Sequence, residues 1–337
     1  MTDERTLVAD TAARLLEEIA QAQGLSFEDA WAKADELGLP LLMIDEVSGG
    51  FGGGWNDLLA IQWEVGRRAS ALPLGEAIVA NWMCSRAGLA SQAGLGSFAL
   101  ATQGEVHGSR FSGTCKHVAA GRHTRWIVCM HADGSLIRLQ SQQGEIARGE
   151  NLAGEPRDSF TFHDASCERA SFAESGANIA FEYGALMRLG QIAGALSAAL
   201  ALTTGHVTQR VQFGKPIGAF QSVQQQLAVF AIETTAAGCA ARAACDAADR
   251  ASTPHAAWYA IAAAKLRANF AIEVATATAH QLHGAIGFTQ DYSLHPLTRR
   301  LWGWRTEAGN DRFWAARLGS HVAARGAEAT WADIVSA

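Results

Sequence analysis

Arg210 closes a proline-free helical stretch that begins near Phe181. The chain then runs Val-Gln-Phe213-Gly214-Lys-Pro216-Ile-Gly-Ala-Phe220 before helical spacing resumes at Val223, Leu227 and Phe230. A guanidinium at a helix end is the side chain best suited to bidentate contact with a pyrophosphate. Phe213 offers a flat apolar face for a ring system. Gly214 relieves the backbone, Pro216 fixes the loop, and the helix that starts there presents free N–H groups to anionic oxygens. An arginine in this place also commonly stays solvated or answers the helix dipole, so residue types and spacing leave both readings open.

A second constellation, Gln281-Leu-His283-Gly284-Ala285-Ile-Gly287-Phe288, lies at the end of another long helical run. Gly284 and Gly287 permit positive φ and close backbone approach, so the chain can turn sharply and offer main-chain donors to a phosphate. The same glycines also suit a plain Schellman-type stop. His283 and His295 flank the turn, where an imidazole more often caps carbonyls than reacts. The glycine-rich Gly49-Gly-Phe-Gly-Gly-Gly-Trp55 lacks the Lys-Ser/Thr of a P-loop and reads as a structural turn.

Long helices must hold these segments. Leu7, Val8, Leu15, Leu16 and Ile19 recur at helical intervals; a short helix follows Ser26 as cap and stops at Gly38; two more run from Trp55 to Arg68 and from Gly75 to Leu89, with Trp63 and Trp82 as core anchors. From about Ser97 to Phe172 the texture changes to short β-branched or aromatic runs: Phe98-Ala-Leu-Ala, Lys116-His-Val-Ala-Ala, Trp126-Ile-Val-Cys-Met, Leu136-Ile-Arg-Leu and Ser159-Phe-Thr-Phe. These read as antiparallel strands. Helix then returns, with Phe220, Val223, Leu227 and Phe230 as a buried face and a further helix from Pro254 to about His283. The expected fold is mostly α with a small middle β domain: an N-terminal α domain over 1–96, a β-barrel or sandwich over 97–172 and a C-terminal four-helix bundle over 173–337.

Composition narrows the function classes. With 337 residues, 49% of them apolar and 18% charged, the chain can bury a large core. A net charge of -6 and a pI near 6.0 supply no basic field for nucleic acid or an anionic membrane, so neither is an expected partner. Six scattered cysteines show no metal-binding spacing. The N-terminal residues run straight into an amphipathic pattern, which makes a cytoplasmic location the expectation.

The nineteen residues from Arg210 to Ala228 resemble, nearly letter for letter, the segment by which acyl-CoA dehydrogenases deliver an arginine and a phenylalanine to the FAD of a neighbouring subunit. Gln281 to Phe288 is similar to that family's Gln-x-x-Gly-Gly-x-Gly-Phe stretch, with Ala285 in place of the second glycine. Asp35-Glu-Leu-Gly-Leu-Pro, Gly49-Gly-Phe-Gly and Glu64-Val-Gly-Arg with Pro73 extend the resemblance to the N-terminal part. It implies FAD as cofactor, with Arg210, Phe213, Gln281, Gly284, Ala285 and Thr102 as its contacts, and a tetramer that shares FAD between paired bundles. The implied reaction removes hydrogens from the α and β carbons of an acyl-CoA substrate to leave a trans-2-enoyl-CoA. A carboxylate takes the α proton and electron-transfer flavoprotein is the expected acceptor.

The chain departs from the family where the base should be. Counting from Arg299 puts Ala308 on the family's loop glutamate, with Glu307 one residue early; counting back from Phe213 puts Gly184 on the alternative helical position, with Glu182 off register. A loop shifts by one residue more easily than a helix, where one step turns a side chain by about 100°, so Glu307 is the expected base. The family's Thr-Glu-x-x-x-Gly-Ser and Trp-x-Thr flavin cradle is reduced to Thr102. The shortened chain resembles the smaller subunit of heterotetrameric acyl-CoA dehydrogenases acting on bulky acyl-CoAs, including steroid side chains. Two readings follow from the resemblance: a catalytic subunit with Glu307 as base, or a non-catalytic partner that completes the FAD site of a larger homologous subunit. An oxidase or monooxygenase on the same fold is a weaker third.

Overall fold

The computed structural model describes residues 3–336 apart from 23, 174, 175 and 177. Four helices open the chain, α1 (Asp3–Gln21), α2 (Phe27–Glu36), α3 (Trp55–Arg67) and α4 (Leu74–Arg86). The Ser26 hydroxyl accepts the Asp29 N–H at 3.0 Å and caps α2 as expected. The glycine-rich loop before α3 is a structural turn: a Cβ on Gly50 would lie 2.1 Å from the Ile44 carbonyl oxygen. The amides at the start of α3 are already taken, because Trp55 and Asn56 N–H donate to the Asp249 carboxylate at 2.7 and 3.1 Å.

Seven strands follow: β1 (Gly96–Phe98), β2 (Ala101–His107), β3 (Arg110–Ala119), β4 (Trp126–Met130), β5 (Ser135–Gln140), β6 (Gly144–Ala147) and β7 (Arg157–Ser171), in the order β1-β4-β5-β7-β3-β2 with β6 also on β7. β7 is long enough to pair with β5 through its second half and with β3 and β6 through its first, which curls the sheet around Phe111, Ile127, Ile137 and Phe162. Two expectations need correction. The pairing of β1 with β4 is parallel, not antiparallel, and the run Phe98 to Ala101 spans the break between β1 and β2. β2 is a largely exposed ribbon without an apolar face, so it left no alternating signal in the sequence.

The remaining helices are α5 (Ile179–Gln209), α6 (Gln221–Arg250), α7 (Trp258–His283), α8 (Leu294–Thr306), α9 (Asp311–Arg325) and α10 (Ala327–Ser336), with a small hairpin, β8 (Val211–Gln212) and β9 (Lys215–Pro216), between α5 and α6. α5 is the central element of the helical part. It meets α3 backbone to backbone, since a Cβ on Gly194 or Gly66 would come within 2.0 Å of the Trp63 or Gln191 carbonyl oxygen. Buried residues of α1 to α4 and of α5 to α9 form one continuous core. The overall class is mostly α with a small β domain, as expected. Trp82 is buried as expected, but Trp63 is only partly covered. Likewise the predicted buried face of α6 holds at Phe230 but not at Phe220, Val223 and Leu227, which stay half-exposed among the described residues.

Candidate functional site: an open cofactor half-site and a closed pocket

The predicted residues fall into two separate places. Arg210, Phe213, Gln281, Gly284 and Ala285 line one open cavity of about 600 Å³, together with His206, Phe220, Ser222, Gln226 and His283. It is formed where the end of α5, the β8–β9 hairpin, the start of α6 and the end of α7 meet. Arg210 is the residue at which α5 ends, its N–H still donating to the His206 carbonyl at 2.9 Å while its own ψ of 113° leads out of the helix.

Phe213 sits at the tip of the hairpin. Its φ is +52° and that of Gly214 is +80°, so both central residues of a two-residue turn are left-handed, as the tight hairpin type requires. Asparagine or glycine is the usual occupant of Phe213's position, and an aromatic residue there carries strain. The ring is nevertheless 89% exposed, touching Phe220 edge-on at 6.1 Å. A strained turn that holds a large apolar ring in water is the mark of a surface built to be covered.

Gly284 takes φ +65° and ψ -146°, a conformation that only glycine adopts readily, and the space beside it is open. Ala285 keeps a negative φ, so the alanine in place of glycine leaves the main chain in an ordinary shape. His283 donates from Nδ1 to the Ala279 carbonyl at 2.8 Å, the capping role expected of it. A guanidinium, an amide, an aromatic face and open backbone on one wall fit a cofactor carrying a diphosphate and a planar ring. Thr102 does not line this cavity; it pairs with Cys115 in the β2–β3 ladder.

Glu307 lies in the second place, and the structure ties it down. Oε1 accepts from Asn151 Nδ2 at 2.6 Å and from Arg157 Nε at 2.8 Å; Oε2 accepts from Arg188 Nε at 3.0 Å and Arg157 at 3.1 Å. Arg188 also donates to Glu76 at 2.6 Å, Arg157 to Glu155 at 2.9 Å and Arg300 to Glu155 at 3.0 Å, so Glu76, Arg188, Glu307, Arg157, Glu155 and Arg300 form a buried chain of alternating charge. Trp304 N–H donates to the same Glu155 carboxylate at 3.1 Å. Burial alone would push the Glu307 carboxyl up, but Arg157 and Arg188 outweigh it and hold it at about 2. A carboxylate with both oxygens engaged and so low a pKa is a poor proton acceptor at neutral pH.

The two positions that sequence counting assigns to the base meet here. A Cβ on Gly184 would lie 3.0 Å from the Cβ of Ala308 and 3.1 Å from Leu100. Neither residue is a carboxylate, and what remains open between them, Phe98, His117 and Met187 is about 20 Å³, room for little more than a water molecule. Glu182 is also taken: it is fully buried between His255 at 2.6 Å and Arg317 at 2.6 Å. Sequence reading missed Arg157, Arg188, Asn151 and Glu155. Arg188 left the one usable trace, a charged residue inside an otherwise apolar helix.

Residues 176–321 match the family described as acyl-CoA dehydrogenase, C-terminal domain. The C-terminal bundle is thus similar to the C-terminal domain of acyl-CoA dehydrogenases. Over 89% of this chain and 92% of the relative, the sequence is 27% identical to the acyl-CoA dehydrogenase IpdE2 of Mycobacterium tuberculosis. In fold it is similar to a chain of the ChsE4-ChsE5 complex from M. tuberculosis, with a TM-score of 0.84, 18% identity and coverage of 97% of this chain and 99% of the other. The Tcur3481-Tcur3483 steroid ACAD G363A variant gives 0.82 at 21% identity over 95% and 98%. The fold of these neighbours therefore extends over nearly the whole chain, beyond the matched bundle.

Proposed function

We propose that this chain is one subunit of an FAD-dependent acyl-CoA dehydrogenase and that it completes the flavin site of a larger homologous subunit. In this reading its own pocket does no chemistry. The observation that carries it is the contrast between the two places: the cofactor-facing residues are open and gathered, while Gly184, Ala308 and the Glu307 ion pairs fill the position of the base.

Bound FAD would supply the hydride acceptor for oxidation of the acyl-CoA to a trans-2-enoyl-CoA. This chain's residues would do the holding. Arg210 neutralises the diphosphate, Phe213 covers the ring system, the Gln281 amide offers a donor and an acceptor, and the unhindered backbone at Gly284 and Ala285 lets the cofactor approach closely. A relative that is a dehydrogenase and two fold neighbours described as a complex and as a steroid ACAD support a hetero-oligomeric assembly acting on a bulky acyl-CoA; a cytoplasmic location and electron-transfer flavoprotein as electron acceptor are further parts of the proposal.

The test is to express the chain alone and together with a larger homologous acyl-CoA dehydrogenase subunit. A colourless chain that takes up FAD only in the co-expressed assembly, whose dye-reducing activity survives Glu307→Gln in this subunit, is the expected result. A yellow, active chain on its own that loses turnover on Glu307→Gln overturns it.

A further inference from the structure

His206 stands exactly one helical turn before Arg210 on α5, so the two side chains share a face, and both line the open cavity. Its ring lies flat against His283, with centroids 4.5 Å apart and an interplanar angle of 26°. The lower ring is fixed: His283 is buried, its Nδ1 donates to the Ala279 carbonyl, and Tyr292 meets it edge-on at 5.3 Å. A carbonyl can only accept, so Nδ1 carries the proton and the neutral tautomer leaves Nε2 as a bare acceptor, without a partner among the described residues. Stacking also directs the in-plane lone pair of His283 away from the ring of His206. The upper ring is half-exposed and makes no hydrogen bond within the described residues.

We propose that His206 is a second anion contact beside Arg210, which takes up a proton when the diphosphate part of the cofactor binds, with His283 as the neutral platform that holds its ring. The proposal rests on the flavin reading of this cavity and adds to it a pH dependence of cofactor binding. The stack can carry one added proton and not two, because two imidazolium rings at this separation repel each other and His283 has no solvent to receive its charge.

Without a ligand, burial, His283 and Arg210 hold the His206 pKa below its ordinary value. The charged and titratable groups around it are Arg210 on its own helix, His283 on α7 with His280 behind it, and His295 on α8 toward His280; α6 contributes Ser222 and Gln226, which do not titrate. A diphosphate placed against Arg210 adds negative charge beside His206 and raises its pKa. Between the ligand-free and ligand-bound values, binding draws a proton from solvent, so affinity rises as pH falls through that window.

The experiment is an NMR titration of the histidine Cε1 resonances of the full chain, with and without inorganic pyrophosphate, beside FAD retention by the co-expressed assembly. The expected result is a rise of about one unit in the His206 pKa with pyrophosphate, equivalent to about tenfold tighter binding below the window, and loss of the pH dependence in His206→Phe, which keeps the stack without the charge. A His206 pKa unmoved by saturating pyrophosphate, or no binding of pyrophosphate at all, overturns the proposal. If FAD retention still falls on Arg210→Ala, the flavin reading survives that failure; if Arg210→Ala changes nothing, both fall.

Discussion

Gly184 on α5 and Ala308 after α8 face each other so closely that a single added methyl on the glycine would press on the alanine at 3.0 Å. These positions are 124 residues apart by subtraction of their numbers, and each is where counting from shared motifs places a base. That two independent counts converge on one point supports the register of both. It also means that the point is filled by small side chains and has no room for a reacting thioester.

Gly184→Ala is therefore expected to destabilise the chain by about 1–3 kcal/mol through overpacking against Ala308 and Leu100. Chemical denaturation of the purified chain measures it. A neutral effect would show that the contact yields easily and that the pocket can open.

Glu307→Gln tests a different property. Removing the carboxylate leaves Arg157 and Arg188 with one partner each, Glu155 and Glu76, and the ion-pair chain with one positive charge in excess, and breaking buried pairs in this way costs about 3–5 kcal/mol. The same substitution should leave turnover per assembled flavin unchanged. Thermal melts and dye-reduction rates on the assembly separate the two effects.

The acid stability of the fold follows from the same group. An unfolded glutamate titrates near 4.3 and the folded one is held at about 2. The depressed value means that the stabilisation, about 3 kcal/mol by this difference, is complete above about pH 5 and is lost as pH falls toward 2. Glu307→Gln should flatten that limb of the stability profile; an unchanged limb would mean that other carboxylates govern it.

Phe213→Gly should act in opposite directions on stability and binding. Glycine accepts φ +52° without strain, so the isolated chain should gain up to about 1 kcal/mol in thermal stability. Loss of the ring should lower FAD retention by the assembly at least severalfold. Equal retention would remove Phe213 from the site.

Arg210→Ala should leave the melting temperature within about 1 °C, since the exposed guanidinium supports nothing in the fold, and should weaken FAD retention about tenfold or more, as expected for a lost charge-assisted bidentate contact. Flavin absorbance after gel filtration reads both the bound fraction and its loss.

Much of this was legible in the sequence because it is local. The Arg210 to Ala228 run, the Gln281 to Phe288 turn, the Ser26 cap and the long helices each write their reasons within a few residues, and the cavity they build contains five of the six expected cofactor contacts. Thr102 does not line that cavity; it lies on β2, the edge strand of the sheet. The ion-pair chain was not legible, since Asn151 with Arg157, Arg188 and Glu307 come from three distant segments and no spacing rule joins them. For the same reason the half-exposed residues of α6 looked like core: periodicity tells which face is apolar and not whether this chain covers it.

The alternating charges from Glu76 to Arg300 have an evolutionary consequence. Because each member neutralises its neighbours, any single replacement strands a buried charge, and no one substitution both clears the pocket and keeps the fold. Recovering an independent active site would require coordinated change at three or more positions through unstable intermediates. On the proposed reading, loss of catalysis would behave as a ratchet, leaving the subunit to be selected for what it contributes to a partner.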